Sequence, residues 1–300
     1  MTIPDIGVSP IDHGACGDGI ADDKAALDAA FSAATACGAP LFLPGGKRFK
    51  AVLSEPWVWD FDPVKYDGLK ITGQGKRQSI IQLAPTFSGG PGVKAWQWRA
   101  SSDWYYLDAS DFCVETTFDG VALTIGHDDF RDPMNFFTAR NLMVFNPKVG
   151  WNTEALRLNY LVNGHLDNCQ ANCFANGQGA NYGTALHHRQ ARFVLHSNPS
   201  YGNASHAVLF DGGFNVDIEF DVGDYENANY LWCVNSATSG NIRVRGGQHS
   251  LWQMHGVYAP QSMAKAIVFE SPNIANAAGL PAVFSHPSNG SRVRIKDLWA

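Results

Sequence analysis

Five stretches of this chain repeat one apolar and polar alternation and align when written under one another: 154–159, 184–189, 206–211, 229–234 and 250–254. Their apolar column Leu156, Leu186, Val208, Leu231 and Leu251 recurs at intervals of 30, 22, 23 and 20 residues. That spacing is one turn of a parallel β-helix and is too long for a hairpin repeat. A second strand follows in each repeat, at 191–196, 216–222 and 242–246. Alternation there points Val216, Ile218, Phe220 and Val222 inward, with Ile242 and Val244 beneath them. Earlier strands are expected at 68–72, 80–83, 121–125 and 142–145, and last ones at 266–269 and 292–295. Between 84 and 119 the residues Trp96, Trp98, Trp104, Tyr105 and Tyr106 follow no such period, so this stretch is expected to leave the solenoid as an aromatic-rich excursion. Such aromatics either pack against the helix side or a second subunit, or line a ligand groove.

The first fifty residues carry a different signal. Asp12-His13-Gly14-Ala15-Cys16-Gly17-Asp18-Gly19-Ile20-Ala21-Asp22-Asp23 runs directly into an alanine-rich segment, and Leu41-Phe42-Leu43-Pro44-Gly45-Gly46 reads as a strand and a turn. Gly14, Gly17 and Gly19 allow tight turns with positive φ, and Asp22 or Asp23 can cap a helix. Leu27, Ala30, Phe31 and Ala34 share one narrow face of that helix, which suits a lid over the first rung of a solenoid. The pattern resembles the opening of the pectate-lyase-like superfamily, D-x-G-A-x-G-D-G-x-x-D-D followed by a short helix, a strand and a turn. The resemblance implies an all-β, right-handed parallel β-helix with a short N-terminal capping α-helix. It also implies one domain over 1–300, its cap motif within 1–50, and the company of phage tailspikes and polysaccharide depolymerases, which would make the protein a homotrimer. The scaffold carries lyases, hydrolases, epimerases and tailspikes, so it does not fix the chemistry.

Composition narrows the partners. Of 300 residues only 17% are charged, while glycine numbers 30 and aromatics reach 12%, as short strands joined by tight turns require. The net charge of −6, with no polybasic run to offset it, argues against nucleic acid and against an anionic membrane. Met1-Thr2-Ile3-Pro4 opens without a basic and apolar leader, so no signal peptide is expected, and the protein is read as a virion tail component or a cytoplasmically produced bacterial protein. Cys16, Cys37, Cys113, Cys169, Cys173 and Cys233 have neither zinc spacing nor a dense disulfide pattern and read as reduced, mostly buried thiols. No cofactor is expected.

Chemistry comes from the outward side chains. Parity places Arg157, His187, Leu209, Trp232 and Trp252 in one outward column, and Asn159, Arg189, Asp211, Val234 and Met254 in the next. Rungs lie ~4.8 Å apart, so two arginines, a histidine, a carboxylate and two indoles gather on one face. Indoles stack on sugar rings and arginines hold carboxylates, which suits an acidic or acetylated polysaccharide. The same register sends His188 and Gln253 inward, where they need partners, and a slip of one residue would expose His188 in place of His187.

The second strands offer a ladder of Asp217, Glu219 and Asp221 against Asn241, Arg243 and Arg245, with Arg192 and His196 on the other side. It is either a solvated face of ion pairs or a source of a general acid and base. Alternate strand residues lie ~7 Å apart, an inverting glycosidase spacing, while neighbouring rungs reach the ~5 Å retaining spacing. Asp211, Asp224 and Glu226 could face the same groove. On a uronate, β-elimination competes: Arg189 would neutralise the carboxylate and His187 would take the C5 proton, without a metal. Asp128, Asp129 and Asp132 form a faint cation candidate that reads better as an acidic turn. Arg294-Ile295-Lys296 matches one polygalacturonase motif, yet no N-T-D or G-H-G precedes it, and the epimerase-like D-P-H-E is missing.

The expectation is a glycoside hydrolase-like depolymerase of bacterial surface or extracellular polysaccharide. Its catalytic candidates are Asp211, Glu219, Asp221 and Asp217, and its substrate-binding candidates are Arg157, His187, Arg189, Trp232, Trp252 and Arg243. A metal-independent uronate lyase and a non-catalytic glycan-binding spike are the alternatives, and other virion tail proteins are the expected macromolecular partners.

Overall fold

In a computed structural model, which describes residues 7–61, 68–100, 106–128, 133–175, 181–235, 241–259, 267–275, 285–287 and 293–297, the acid- and glycine-rich opening is folded by its own carboxylates. Buried Asp23 accepts the backbone N–H of Cys16 at 2.7 Å and of Gly17 at 3.1 Å. Asp18 accepts those of Ile20 and Ala21 at 2.8 and 2.9 Å, bonds that lower its carboxyl. The chain between them must reverse tightly, and Gly17 and Gly19 sit at φ +62 and +75, in the left-handed region. Asp23 occupies the N-cap position of the helix Lys24–Cys37 but spends its side chain on the loop; Asp22 instead accepts the Lys24 N–H at 3.1 Å. The helix buries Ala26, Leu27, Ala30 and Ala34, and stacks Phe31 on Trp59 with centroids 4.3 Å apart. Asp28 accepts both the Trp57 and Trp59 indole N–H groups, at 2.8 and 3.1 Å. The helix therefore closes one end of the apolar stack, as its narrow face predicts.

Beyond the cap the chain is a right-handed parallel β-helix of about eight turns. Its strands form three parallel stacks. One runs through Trp57–Phe61, Lys94–Ala100, Val121–Ile125 and the first halves of Glu154–Asp167 and Thr184–Ser197. A second begins at Asp18–Asp22 and continues through Lys47–Leu53, Ser79–Pro85, Cys113–Thr116, Met143–Phe145 and Gln170–Asn172. The third links Leu69–Thr72, Leu107–Ser110, Phe137–Arg140 and the later halves of the long strands to Ile242–Arg245, Ile267–Glu270 and Val293–Lys296. The stretch 84–119 is thus no excursion in its described part. It supplies Lys94–Ala100, Leu107–Ser110 and Cys113–Thr116, one to each stack, and Trp96 and Trp98 are fully buried. Trp57 on Trp96 (4.5 Å) and Trp59 on Trp98 (6.5 Å) continue the aromatic column begun at Phe31, so Trp96 and Trp98 are core, while Tyr106 is 56% exposed and stacks on Phe136 at 4.6 Å. Trp104 and Tyr105 lie outside the described residues.

The observed register corrects the expected apolar column. Leu156 pairs with Leu186, then Val208, then Trp232, then Val257, in place of Leu231 and Leu251. Coils differ in length at their corners: pairing shifts between Arg189 and Ala191, and again where Ala228 pairs with Trp252 but Tyr230 pairs with His255. Leu231 is buried all the same, while Leu251 is 40% exposed. Trp232 and Trp252, expected outside, are 0% and 1% exposed and belong to the core. Ile218, Phe220, Ile242 and Val244 point inward as expected, but Val222 is 60% exposed at a corner. His196, expected outside, pairs with Phe220 and is fully buried.

The interior histidines partner one another, although His188 Nδ1 is buried without a hydrogen-bond partner. His188 Nε2 lies 3.0 Å from His196 Nε2, and His196 Nδ1 lies 2.8 Å from the Tyr201 hydroxyl. Phe210 stacks on His188 and Phe220 on His196, at 5.3 and 4.4 Å. Gln253's side chain lies outside the described residues.

Where the third stack turns into the second, Asp111, Asn141, Asn168, Asn198, Val222, Gly246, Ser271 and Asp297 all adopt left-handed φ between 47 and 63. The first seven donate their backbone N–H to the coil above, as Asn141 does to Asp167 and Val222 to Arg245. Asn168 Nδ2 donates to Asn141 Oδ1 at 2.6 Å, and Asn141 Nδ2 to Asp111 Oδ1 at 2.7 Å. Asparagine tolerates this conformation and its amide spans one rung, so these positions fix the corner. All six cysteines are free, and burial pushes the thiols of Cys113, Cys169 and Cys233 up to about 12. Among the described residues no helix is long and apolar enough to cross a membrane.

Candidate functional site

The first stack carries a polar cluster built one side chain per coil. Gln97, Thr124, Arg157 and His187 occupy consecutive register positions, and Asn159, Arg189 and Asp211 form the next column. Lys94, Glu154, Thr184 and His206 precede them on the same strands. Four of the sequence candidates, Arg157, His187, Arg189 and Asp211, are therefore brought together as expected.

Glu154 organises the cluster. Its Oε2 accepts the Arg157 Nε–H at 2.8 Å and lies 3.0 Å from His187 Nδ1, and its Oε1 pairs with Arg157 Nη2. Regular alternation would put Glu154 on the same side as Leu156. Ala155 and Leu156 are instead both buried, which frees the carboxylate to turn to the polar side. Burial raises the Glu154 carboxyl, but hydrogen bonding and charge from His187, then from Arg157, outweigh it and bring it down to about 2. The carboxylate stays ionised and holds the imidazole by its Nδ1. His187 Nε2 is buried without a hydrogen-bond partner and stands 4.0 Å from Asp211 Oδ2. Asp211 is half-exposed, its other oxygen accepting the Gly212 N–H at 2.8 Å.

Cations crowd this face although the chain is acidic. Arg157 and His187 are each only 5% exposed, and a Cβ on Gly92 would stand 3.5 Å from Arg157 Nη1, so the 89–93 turn closes over the guanidinium. Lys94 pairs with Asp128, whose Oδ1 also accepts the Asn159 amide N–H at 2.9 Å. Burial, then the charges of Arg157, Arg189 and Arg99, bring Lys94 down to about 8. Burial and Arg157 likewise press Arg189 downward. Thr124 Oγ1 and Asn159 Oδ1 are buried without hydrogen-bond partners. Desolvated cations beside unsatisfied polar atoms suit an acidic, hydroxyl-rich ligand.

The remaining candidates lie elsewhere. Trp232 packs inside against Phe220 (5.0 Å) and Tyr225 (4.6 Å) and donates its indole N–H to His249 at 3.2 Å; with Trp252 also in the core, neither indole offers a face to a glycan. Asp217, Glu219, Asp221 and Arg243 sit on the third stack, away from the cluster. Glu219 pairs with Arg243 at 2.9 Å and with Arg245 at 3.2 Å, and Glu270 in turn with Arg243, Arg245 and Lys296 at 3.8, 3.7 and 3.3 Å. Asn241 donates to Asp217 at 3.1 Å. These are partly exposed cross-coil pairs of the solvated kind. Asp128 serves Lys94 and Asn159, while Asp129 and Asp132 lie outside the described residues. Sequence reading missed Glu154 and Lys94. A lone acid in front of an apolar strand, four residues ahead of Leu158 and three ahead of Arg157, is the signal that could have found the first.

Over 73 residues, 24% of this chain and 13% of the other, the sequence is 37% identical to the mannuronan C5-epimerase AlgE4 of Azotobacter vinelandii. The fold is similar to the A-module of that enzyme, with a TM-score of 0.57 and 16% identity over 97% of this chain and 96% of the module. It is equally similar, at 0.57 and 11% identity, to tailspike protein 2 of the Escherichia coli O157:H7 bacteriophage CAB120, covering 96% of this chain and 42% of the tailspike. The family model for rhamnogalacturonase A/epimerase, pectate lyase-like proteins matches residues 8–192, a span that includes the cap motif, Lys94, Glu154, Arg157, His187 and Arg189, and the chain belongs to that family.

Proposed function

We propose that the protein acts on an acidic polysaccharide and that its reaction starts with removal of the C5 proton of a uronate unit. The observation that carries this reading is His187, tied through Nδ1 to an ionised Glu154, with a buried Nε2 that has no hydrogen-bond partner, on the same stack face as Arg157, Arg189 and Lys94. The guanidinium and ammonium groups neutralise the uronate carboxylate, which makes the adjacent C5–H acidic and stabilises the negative charge that forms as the proton leaves. His187 Nε2 takes that proton, and Glu154 balances the resulting imidazolium. Collapse of the carbanion with departure of the C4 oxygen gives β-elimination; return of a proton to the opposite face gives C5 inversion. The epimerase named above supports the reaction class. Since D-P-H-E is absent, the roles are assigned from this chain's own geometry.

Hydrolysis is the second reading, favoured by Asp211 at 4.0 Å from His187 with a partly exposed carboxylate. The tailspike likeness supports it as a depolymerase, and with it a homotrimer in a virion tail, testable by sedimentation. Incubation with polymannuronate, polyguluronate, polygalacturonate and polyglucuronate in D2O separates the readings. Either deuterium at C5, the mark of inversion, or the ultraviolet absorbance of an unsaturated uronate, the mark of elimination, is expected. New reducing ends without either signal would replace C5 chemistry by hydrolysis.

A further inference from the structure

Three residues upstream of Glu154 stands Trp151, 69% exposed, the ring of a residue type that normally buries itself. It meets Tyr182 edge to face, with centroids 5.2 Å apart. Tyr182 lies two residues before Thr184, and Thr184 is the register partner of Glu154. Both aromatics thus sit at the N-terminal ends of the two strands that carry Glu154 and His187. Three residues of chain span at most ~11 Å, which places Trp151 within that distance of the Glu154 backbone, and the Glu154 carboxylate meets His187 at 3.0 Å, so a short oligosaccharide seated on His187 can bridge the gap.

The loop holding Trp151 is fixed from below. Buried Asn146 uses its amide four times, accepting the Phe118 N–H and donating to the carbonyls of Phe118, Gly120 and Glu154, each at 3.1 Å. Asn152 donates to Asp119 at 3.3 Å, and buried Thr153 donates to the Lys148 carbonyl at 3.2 Å. A Cβ on Gly150 would lie 2.7 Å from Asp119 Oδ1, so glycine lets the loop pass close to this carboxylate without displacing it. An indole held out on a pinned loop loses little entropy when a ring lies on it.

We infer that Trp151, flanked by Tyr182, is a stacking platform for a pyranose ring of the same polymer, one or two units from the residue over His187. The inference rests on the proposed uronate reading and assigns it an extended binding site: the protein recognises a stretch of chain, with Arg189 and Asp211 beyond His187 at the opposite end.

The test compares wild type, Trp151→Ala and Trp151→Phe on oligomers of increasing length from the four polyuronates named above. For Trp151→Ala, KM on long oligomers rises about 3- to 10-fold, the fold-change that one lost ring stacking produces. Its kcat and its KM on the shortest substrates stay level, and Trp151→Phe restores most of the loss. Tryptophan fluorescence of His187→Ala, which retains the platform, is quenched by the long oligomers; adding Trp151→Ala removes the quenching. An unchanged KM, absence of Trp151-dependent quenching with every oligomer, or a changed oligomeric state in place of a changed KM overturns the platform. Quenching with neither C5 deuterium nor unsaturated product in the wild type keeps the platform and removes the C5 chemistry.

Discussion

Glu154 and His187 meet across two adjacent coils, carboxylate Oε2 to imidazole Nδ1 at 3.0 Å, both largely buried. A carboxylate at about 2 beside Nδ1 keeps that nitrogen protonated and leaves Nε2 as the basic end. His187→Ala removes the base and lowers kcat by about 10²- to 10⁴-fold. Glu154→Gln keeps the shape but loses the charge that balances imidazolium, so it lowers kcat more than it raises KM. Steady-state kinetics on the polyuronate that takes up C5 deuterium or yields unsaturated product measure both.

Lys94 sets an alkaline limit. Its ammonium, brought down to about 8, is charged below that pH and neutral above it, so affinity for a uronate carboxylate falls as pH rises through about 8. Lys94→Met abolishes this limb and lowers kcat/KM at neutral pH roughly 10- to 150-fold, the loss of one charged hydrogen bond worth ~1.5–3 kcal/mol. A pH profile of kcat/KM for both proteins is the measurement.

The acidic ladder gives the opposite expectation. Asp217→Asn, Glu219→Gln and Asp221→Asn, taken singly, leave turnover within about two-fold and stability within about 0.5 kcal/mol, as for exposed ion pairs. Asp211→Asn, in contact range of His187, changes turnover. Loss of activity at Glu219 or Asp221 with Asp211→Asn intact would return catalysis to the third stack.

Val222 occupies a left-handed corner position at φ 47 that Asn141, Asn168 and Asn198 fill in the coils below. A β-branched side chain is strained there, so Val222→Asn stabilises the protein by about 1 kcal/mol and raises the urea midpoint. An unchanged or lower midpoint would show that the corner carries no such strain.

Buried histidines make the fold sensitive to acid. Burial brings His188 down to about 3 and His249 to about 4, with His196 also well below its ordinary value. The unfolded chain binds protons at these residues below about pH 6.5 and the folded one does not. Their stabilising contribution is therefore complete above about pH 6.5 and is lost as pH falls toward 4, by up to about 1.4 kcal/mol per pH unit for each histidine. Urea unfolding between neutral pH and pH 4 reads the slope.

The coil itself was legible in the sequence because Leu156, Leu186 and Val208 return at one place per turn, and the cap because Asp18, Asp22 and Asp23 have fixed backbone partners. Arg157, His187, Arg189 and Asp211 were legible together for the same reason. Trp232 and Trp252 were not: every residue from Leu231 to Val234 is buried, and one extra residue before His255 shifts the pairing, neither of which alternation can register. Glu154 and Lys94 belong to the cluster through contacts across coils, at positions where the local pattern is irregular.

Because each turn of the solenoid lends a single side chain to each column of the polar face, that face is spelled vertically while the chain is written horizontally. Lys94, Glu154, His187 and Asp211 come from successive turns, with Val121 between the first two. Duplication or loss of one whole turn would leave the ladder of backbone bonds intact and change a single letter of the reactive row, so the architecture can revise its chemistry without rebuilding its frame.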